Sequence, residues 1–223
     1  MNNSRIQITD DGSHTLYNNK VGENYHSSFG AIQESKHIFI DSGLGTVVDK
    51  NLDSIRVLEI GIGTGLNILL TYLWGIENQI SVEYLGYEPF PISKEEISLL
   101  NYSYLLKVDR ELFLSIHENI GKSVNVSNSF LLTIVESEIQ DSKLRDNYYD
   151  VVFFDAFSPD SQPELWTPEV FNLLFNAIKP TGVLTTYSCK GTVKRALKEA
   201  GFSIEKLPGP PGKREFLRAW KKK

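Results

Sequence analysis

Three alternating glycines, preceded by a glutamate, have the types and spacing of a nucleotide-cofactor site. Residues 57–67, VLEIGIGTGLN, take a buried strand directly into Gly61, Gly63 and Gly65 and then into an apolar helix. Glycines at such a junction let the backbone turn tightly and let a ligand approach where a Cβ atom would clash. We therefore predict that this segment binds a nucleotide-like cofactor.

The residues around the turn indicate which cofactor it suits. Leu66 stands where a dinucleotide fingerprint needs a small residue, and no Gly-Lys-Ser/Thr follows to form a phosphate loop. Glu59 would repel a pyrophosphate but can accept hydrogen bonds from an ammonium or a hydroxyl. These features favour S-adenosylmethionine, with Glu88 at the end of the next strand accepting the ribose hydroxyls. Glu138 is the candidate for the adenine amino group, and Glu136 is its competitor.

A second chemical segment, DAFSP at residues 155–159, follows another apolar run. If the methyl acceptor is an amine, Asp155 can hydrogen-bond its N–H groups, favour the lone-pair form and take up the released proton. Phe157 can face the developing cation or stack on a base. Methyl transfer is an in-line displacement, for which well-oriented reactants can gain ~7 to 11 kcal/mol from alignment, so neither a metal nor a nucleophilic residue is required. The alternatives are that Asp155 caps a loop and that Phe157 belongs to the core, while Trp166 is expected to seal the following helix.

Short apolar runs separated by helical stretches predict the sheet that positions these residues. The candidate strands are residues 55–60, 82–87, 130–135, 150–154 and 183–188. Ser93 with Glu96 forms a capping box for a helix carrying Ile97, Leu100 and Tyr104, Thr167 opens a second, and a third covers about 192–200. SIEK and LRAW predict an antiparallel C-terminal hairpin, and the segment around residues 10–13 predicts a turn between two N-terminal strands. The fold class is α/β, a mostly parallel doubly wound sheet.

Composition excludes several protein classes. The 223 residues are 41% hydrophobic and 23% charged, which suits one globular core and rules out a disordered tail. The single cysteine, Cys189, excludes a disulfide framework and a cysteine zinc cage, and the four histidines lack metal-ligand spacing, so no metal is expected. Because no apolar stretch resembles a signal peptide or membrane span, we expect a soluble, cytoplasmic protein without a membrane partner.

Charge is distributed unevenly along the chain. The net charge is −5, but residues 190–223 carry eleven Lys/Arg against three Glu, a local balance of +8 that leaves −13 for the rest. A basic end on an acidic body suits a protein that meets a polyanion with one face. The alternative is a solvated helix face with a frayed tail.

Six segments, read in order, carry a resemblance to a known family. They are DGSHTLYNN, ENYHSSFGAIQES, VLEIGIGTGLN, DAFSPDSQPELWTPEVF, YSCKGTVKRALKEAGF and GPPGKREFLRA. The chain resembles the methyltransferase domain of the MnmC- or MnmD-type enzymes that make 5-methylaminomethyl-2-thiouridine at the tRNA wobble position. The resemblance implies a Rossmann-like class I methyltransferase fold. It also implies S-adenosylmethionine-dependent methylation of the primary amine of 5-aminomethyl(-2-thio)uridine.

The resemblance also implies roles for individual residues. The glycine turn with Glu59 and Asn67 would hold the cofactor, Glu88 would bind its ribose, and Asp155 would face the amine. Pocket walls would come from an N-terminal β extension, residues 1–50, ahead of the methyltransferase domain, residues 51–223. The candidate wall residues are Tyr25, Ser27 and Glu34, and His26 ranks below Asp155 as a base. The candidate tRNA phosphate contacts are Lys190, Lys194, Arg195, Lys213 and Arg214.

Two further expectations concern the scope of the activity. Bifunctional relatives fuse this domain to a flavin-dependent oxidase, for which 223 residues leave no room, so only methylation is expected. A methyl or aminopropyl transferase acting on a free small amine is the alternative enzyme, since the same sheet and acids would serve it. A non-catalytic cofactor-binding module is a third possibility, which Asp155 disfavours.

Overall fold

The computed structural model describes residues 4–47 and 52–222, which form two sheets surrounded by short helices. The strands are β1 (Ser4–Ile8), β2 (His14–Asn18), β3 (Glu23–Asn24), β4 (Ser54–Ile60), β5 (Ser81–Tyr87), β6 (Ser123–Ser127), β7 (Phe130–Val135), β8 (Tyr149–Phe154), β9 (Ile178–Thr186), β10 (Ser203–Pro208) and β11 (Glu215–Trp220). The helices are α1 (Ala31–Ser35), a π-helical segment (Lys36–Leu44), α2 (Gly45–Val47), α3 (Leu66–Asn78), α4 (Lys94–Ser98), α5 (Tyr102–Leu106), α6 (Arg110–Glu118), α7 (Pro168–Ala177) and α8 (Gly191–Glu199), with 3₁₀ turns at Ile139–Asp141 and Pro163–Leu165.

The large sheet has the strand order β10-β11-β9-β8-β4-β5-β7-β6. Its five inner strands, β9 to β7 in that order, run parallel, and β6, β11 and β10 pair antiparallel at the two edges. The chain reverses its direction of winding at β4, which lies between β5 and β8. In open α/β sheets, ligands bind at the carboxyl ends of the strands beside such a switch point. The predicted fold class, including the antiparallel C-terminal hairpin, is confirmed.

The inner strands form because their residues are apolar on both sides. Val57 and Phe153 pack into the core on one face of the sheet, and their chain neighbours Leu58 and Phe154 pack into the core on the other. All four side chains are fully buried. A parallel sheet covered by helices on both faces requires such continuous apolar runs, which explains why the sequence predicts these strands well.

The predicted capping box at Ser93 is confirmed, but the helix it starts is shorter than expected. The Ser93 hydroxyl accepts from the Glu96 amide at 3.2 Å, and the Glu96 carboxylate accepts from the Ser93 amide at 2.9 Å. The helix ends at Ser98, and a second one begins at Tyr102. Tyr104 is consequently 82% exposed rather than part of one continuous apolar face. The helices predicted after Thr167 and over 192–200 are present as α7 and α8.

The N-terminal block contains the predicted hairpin, β1 paired with β2, and also helical structure that the sequence did not indicate. Residues 31–47 are helical, and Ile38, Phe39 and Leu44 are buried in the same core as β4 and β8. The block is therefore packed onto the large sheet. The predicted boundary between residues 50 and 51 lies outside the described residues. In the described ranges, no helix is long and apolar enough to cross a membrane.

Candidate active site

A cavity of about 940 Å³ lies at the carboxyl ends of β4, β5 and β8. Its floor includes Gly61 and Gly63 after β4, Glu88 after β5 and Asp155 after β8. Its opposite wall comes from the N-terminal block, including residues 17–18, 20–27, 34–35 and 39. The volume and position are those of a small-molecule site at a topological switch point.

The glycine turn is shaped by close backbone approaches. Gly61 has φ +85°, and a Cβ there would lie 2.7 Å from the Asp155 carbonyl oxygen. Gly63 has φ +51°, and its Cβ would lie 2.7 Å from Cδ1 of Tyr25. Gly65 begins α3 and packs against His117, so it shapes the turn from behind. At the first two glycines the turn therefore packs so closely against the Asp155 backbone and the Tyr25 ring that no side chain would fit.

Glu88 is tied to this turn. One carboxylate oxygen accepts from the Gly63 amide at 2.9 Å, and the other accepts from the Phe90 amide at 2.9 Å. Burial raises the pKa of Glu88, and these backbone hydrogen bonds oppose the rise. A carboxylate offers about four lone-pair sites, so Glu88 can hold the turn and still accept from hydroxyls in the cavity.

Glu59 and Asn67 differ from the prediction that they contact the cofactor directly. Glu59 is fully buried, and its two oxygens accept from Tyr84 Oη at 2.7 Å and Asn67 Nδ2 at 2.8 Å. Among the described residues, neither Glu59 nor Asn67 lines the cavity. Glu59 points from β4 into the core beneath the turn, where its loss of water raises its pKa to about 7. Both residues therefore support the site from below.

Asp155 lines the cavity at the carboxyl end of β8. Its Oδ2 accepts a hydrogen bond from Asn67 Nδ2 at 2.9 Å. Burial raises the pKa of Asp155 well above its usual range, and the neighbouring carboxyls of Glu59 and Glu34 raise it further, against the Asn67 hydrogen bond and the Lys213 ammonium. A carboxylate with a raised pKa beside a cofactor turn is suited to accept a proton near neutral pH.

An aromatic wall stands beside Asp155. The rings of Tyr25 and Phe157 lie 4.9 Å apart at 60°, and both line the cavity. Phe157 is half-buried and is not a core residue. The buried Trp166 donates from Nε1 to the Phe157 carbonyl oxygen at 2.9 Å, and Gln162 accepts from the Phe157 amide at 3.0 Å. Trp166 thus seals the start of α7, as predicted, and fixes the loop that carries Phe157.

The sequence over residues 108–222 matches the family of S-adenosyl-L-methionine-dependent methyltransferases. The chain belongs to this family.

Individual relatives agree with the family assignment. The chain is similar to the tRNA 5-methylaminomethyl-2-thiouridine biosynthesis bifunctional protein MnmC of Leptospira borgpetersenii serovar Hardjo-bovis, with 29% identity over 216 residues. That match covers 91% of this chain and 33% of the relative. A second MnmC, from Azoarcus sp., is 28% identical over 96% of this chain and 35% of its own length. The chain therefore spans about a third of these curated relatives.

Two solved structures were also similar. The crystal structure of MNMC2 from Aquifex aeolicus has a TM-score of 0.81 and 28% identity, and the match covers 98% of this chain and 70% of that one. Spermidine synthase from Thermotoga maritima has a TM-score of 0.53 at 14% identity, with 98% and 71% of the two chains covered. The second likeness shows the fold alone.

The cavity of this methyltransferase fits S-adenosylmethionine, the cofactor of its family. Gly61 and Gly63 present backbone without side chains to the cavity, and Glu88 lies beside them just after β5. Glu136 and Glu138 both line the cavity just after β7, the former exposed and the latter half-buried. The assignment of Glu138 to the adenine amino group stays a prediction, because the structure brings both acids to the same wall.

The five basic candidates are not equivalent. Lys213 is turned into the cavity, with Nζ 3.0 Å from Glu34 Oε1. Lys190 forms an ion pair with Asp160. Lys194 and Arg195 lie in α8, and Arg214 is exposed in the loop between β10 and β11. Lys213 therefore differs from the surface phosphate contact predicted for it, because the hairpin loop folds back over the N-terminal block.

Sequence reasoning missed Glu23, which joins the N-terminal block to the loop after β8. Its carboxylate accepts from the Ser158 and Ser161 hydroxyls and from the Ser158 amide. Burial opposes ionisation of Glu23, but these hydrogen bonds lower its pKa overall. The only signal in the sequence was the acid that begins the ENYHSSF segment, which does not identify partners 135 residues away.

The structure brings the other N-terminal candidates to the cavity. Tyr25, His26, Ser27 and Glu34 all line it. Burial lowers the pKa of His26 to about 4, and its Nδ1 lies 3.2 Å from Thr15 Oγ1. His26 is therefore neutral near neutral pH and weakly basic, in line with its rank below Asp155.

Proposed function

We propose that this methyltransferase methylates the primary amine of 5-aminomethyl(-2-thio)uridine at the wobble position of tRNA. The observation that carries the proposal is that the half-buried carboxyl of Asp155 opens into the same cavity as Gly61, Gly63 and Glu88. The proposed methyl acceptor is an amine because the carboxyl of Asp155, whose pKa is raised, can take the proton that an amine releases. The relatives named for 5-methylaminomethyl-2-thiouridine biosynthesis support the nucleoside.

The residues of the cavity divide the work of the reaction. S-adenosylmethionine held at Gly61, Gly63 and Glu88 would supply a sulfonium methyl group, whose transfer would exchange a carbon–sulfur bond for a carbon–nitrogen bond. Asp155 accepts an N–H hydrogen bond from the amine, so the nitrogen lone pair is directed away from the carboxylate, and takes the proton that the methylated nitrogen releases. Asn67 fixes the carboxylate at 2.9 Å. Alignment by fixed groups supplies most of the acceleration of such a displacement.

The aromatic wall would hold the base that carries the amine. Tyr25 and Phe157 present ring surfaces to the cavity, and base–aromatic stacking is worth about 1–3 kcal/mol per base. Lys194, Arg195 and Arg214 remain candidates for the phosphate backbone outside the cavity. An enzyme with this substrate would act in the cytoplasm.

Labelled S-adenosylmethionine incubated with bulk tRNA from cells lacking this chain, followed by nucleoside analysis, tests the proposal. We expect label in one wobble nucleoside with wild-type protein. The isosteric variant Asp155→Asn should incorporate at least a hundredfold less label into that nucleoside. Label in an added polyamine and none in tRNA would support the small-amine alternative. Absence of label from every nucleoside contradicts the proposed function.

A further inference from the structure

An ion pair inside the cavity has no part in the function described so far. Lys213 Nζ lies 3.0 Å from Glu34 Oε1 and 4.6 Å above the ring of Tyr187. The other Glu34 oxygen accepts from the Ser27 amide at 2.7 Å, and the Glu34 side chain is only 8% exposed. Both charged groups are thus held in fixed positions in the cavity that Asp155 also lines, and both act electrostatically on Asp155.

The loop carrying Lys213 is anchored to the N-terminal block. Gly212 has φ +80° and packs directly under the ring of Phe29, so that no side chain would fit. His37 donates from Nε2 to the Pro208 carbonyl oxygen at 2.8 Å. A lysine on a loop fastened on both sides keeps its ammonium in the cavity instead of extending it to the surface.

We propose that Lys213 is a positioning residue for methyl transfer. Its positive charge keeps the acceptor amine in its neutral, nucleophilic form and keeps Asp155 in its carboxylate form. This inference rests on the proposed function in one respect, that the methylated atom is an amine.

A positive charge favours the deprotonated form of every group near it. The titratable groups that face Lys213 come from several elements: Glu34 of α1, His26 after β3, Asp155 after β8, and Tyr187 and Cys189 after β9. Asp155 also faces Glu34, Glu59, Tyr84 and Tyr187. The carboxylates of Glu34 and Asp155, which both line the cavity, would otherwise favour the ammonium form of the amine, which has no lone pair to attack. The ammonium of Lys213 opposes protonation of the amine and of Asp155, and its ion pair with Glu34 weakens this influence.

The pH profile of methyl transfer at saturating tRNA tests the inference. The acidic limb of the profile is the range in which the rate rises with pH. Lys213→Met should move this limb to higher pH by about one unit, because both the amine and Asp155 lose the charge that favours their deprotonated forms. Lys213→Arg should restore the wild-type limb. Glu34→Gln should move it the opposite way, to lower pH. Lys206→Met is the matched control, since Lys206 pairs with Glu215 on the same hairpin outside the cavity, and it should leave the limb unchanged.

Opposite shifts in the Lys213 and Glu34 variants separate an electrostatic role from a structural one. A structural clasp would lower the rate in both variants without moving the limb, and this result would overturn the inference. Binding of tRNA at several salt concentrations gives a readout independent of activity. An unchanged salt slope in Lys213→Met is expected, whereas a slope smaller by about one would make Lys213 a phosphate contact and overturn the inference. Wild-type protein that labels no tRNA at any pH would overturn both the inference and the proposed function.

Discussion

Asn67, at the start of α3, donates a hydrogen bond to Asp155, at the end of β8, over 2.9 Å. The same nitrogen donates to Glu59 at 2.8 Å, so one amide joins the fully buried carboxyl of Glu59 to the half-buried carboxyl of Asp155. The Asn67 oxygen is buried without a hydrogen-bond partner among the described residues. The proton state and orientation of Asp155 therefore depend on residues that do not line the cavity.

Asn67→Ala should reduce kcat by about 10- to 100-fold, since hydrogen bonds to charged groups contribute about 1.5–3 kcal/mol. The KM for S-adenosylmethionine should change little, because Asn67 does not line the cavity. The loss also removes a hydrogen bond that lowers the pKa of Asp155, so the acidic limb should move to higher pH. Steady-state kinetics across pH measure all three effects. A rise in KM for the cofactor at unchanged kcat would show that Asn67 contacts the cofactor after all.

Asp155→Ala should leave cofactor binding largely intact and cut methyl transfer by about two to four decades, a range typical of a lost acid–base group. Calorimetric titration with S-adenosylhomocysteine checks the first expectation, and transfer to hypomodified tRNA checks the second. Near-wild-type turnover would falsify the proton-accepting role.

The sequence predicted those features of the site that depend on local pattern. The buried strand before Gly61 and the acid after β5 were identified because an apolar run, a glycine turn and a strand-end carboxylate are adjacent in the chain. The sequence did not predict that the Glu59 side chain points into the core, because its orientation depends on Tyr84 and Asn67, which lie on neighbouring elements. The cavity position of Lys213 likewise requires packing of residues about 180 positions apart.

Strand β6 and the π-helical segment are among the elements that the sequence did not indicate, as are β3 and α6, and the first two were missed for related reasons. Strand β6, SVNVS, is short and half-polar, and it pairs only at the edge of the sheet with β7. The π-helical segment Lys36–Leu44 has no regular apolar period, so its buried side chains gave no helical pattern. Both are defined by their neighbours in space rather than by their own residues.

Gly61→Ala should abolish tight cofactor binding. Its Cβ would meet backbone atoms of Asp155 and Ala156 within 2.9 Å, and backbone cannot move aside as a flexible side chain can. Gly121→Ala is the matched control, because Gly121 has a similar φ of +78° with nothing within 4 Å of its Cβ. The control should lose about 1 kcal/mol of stability from backbone strain and retain binding. Equal cofactor affinity in the two variants would show that the close packing at Gly61 does not shape the cofactor site.

Glu59→Gln should make the unfolding free energy less dependent on pH between about 4.5 and 7. Burial raises the pKa of Glu59 from 4.5 to about 7, so the folded protein keeps the carboxyl protonated at pH values where the unfolded chain ionises. The unfolded state therefore binds fewer protons across this range, and stability falls as pH rises until the folded group also ionises near pH 7.

Glutamine is neutral and similar in shape to a protonated glutamate, so it can still accept from Tyr84 and remains beside Asn67. The variant should gain on the order of 2 kcal/mol over wild type at pH 8 and little at pH 4, as measured by urea unfolding at each pH. His117 and His26 both have pKa values lowered by burial to about 4, and they add a separate loss of stability below pH 6.5 that the substitution leaves in place. Parallel curves for the two proteins from pH 4 to 8 would show that Glu59 ionises in the folded state as it does in water.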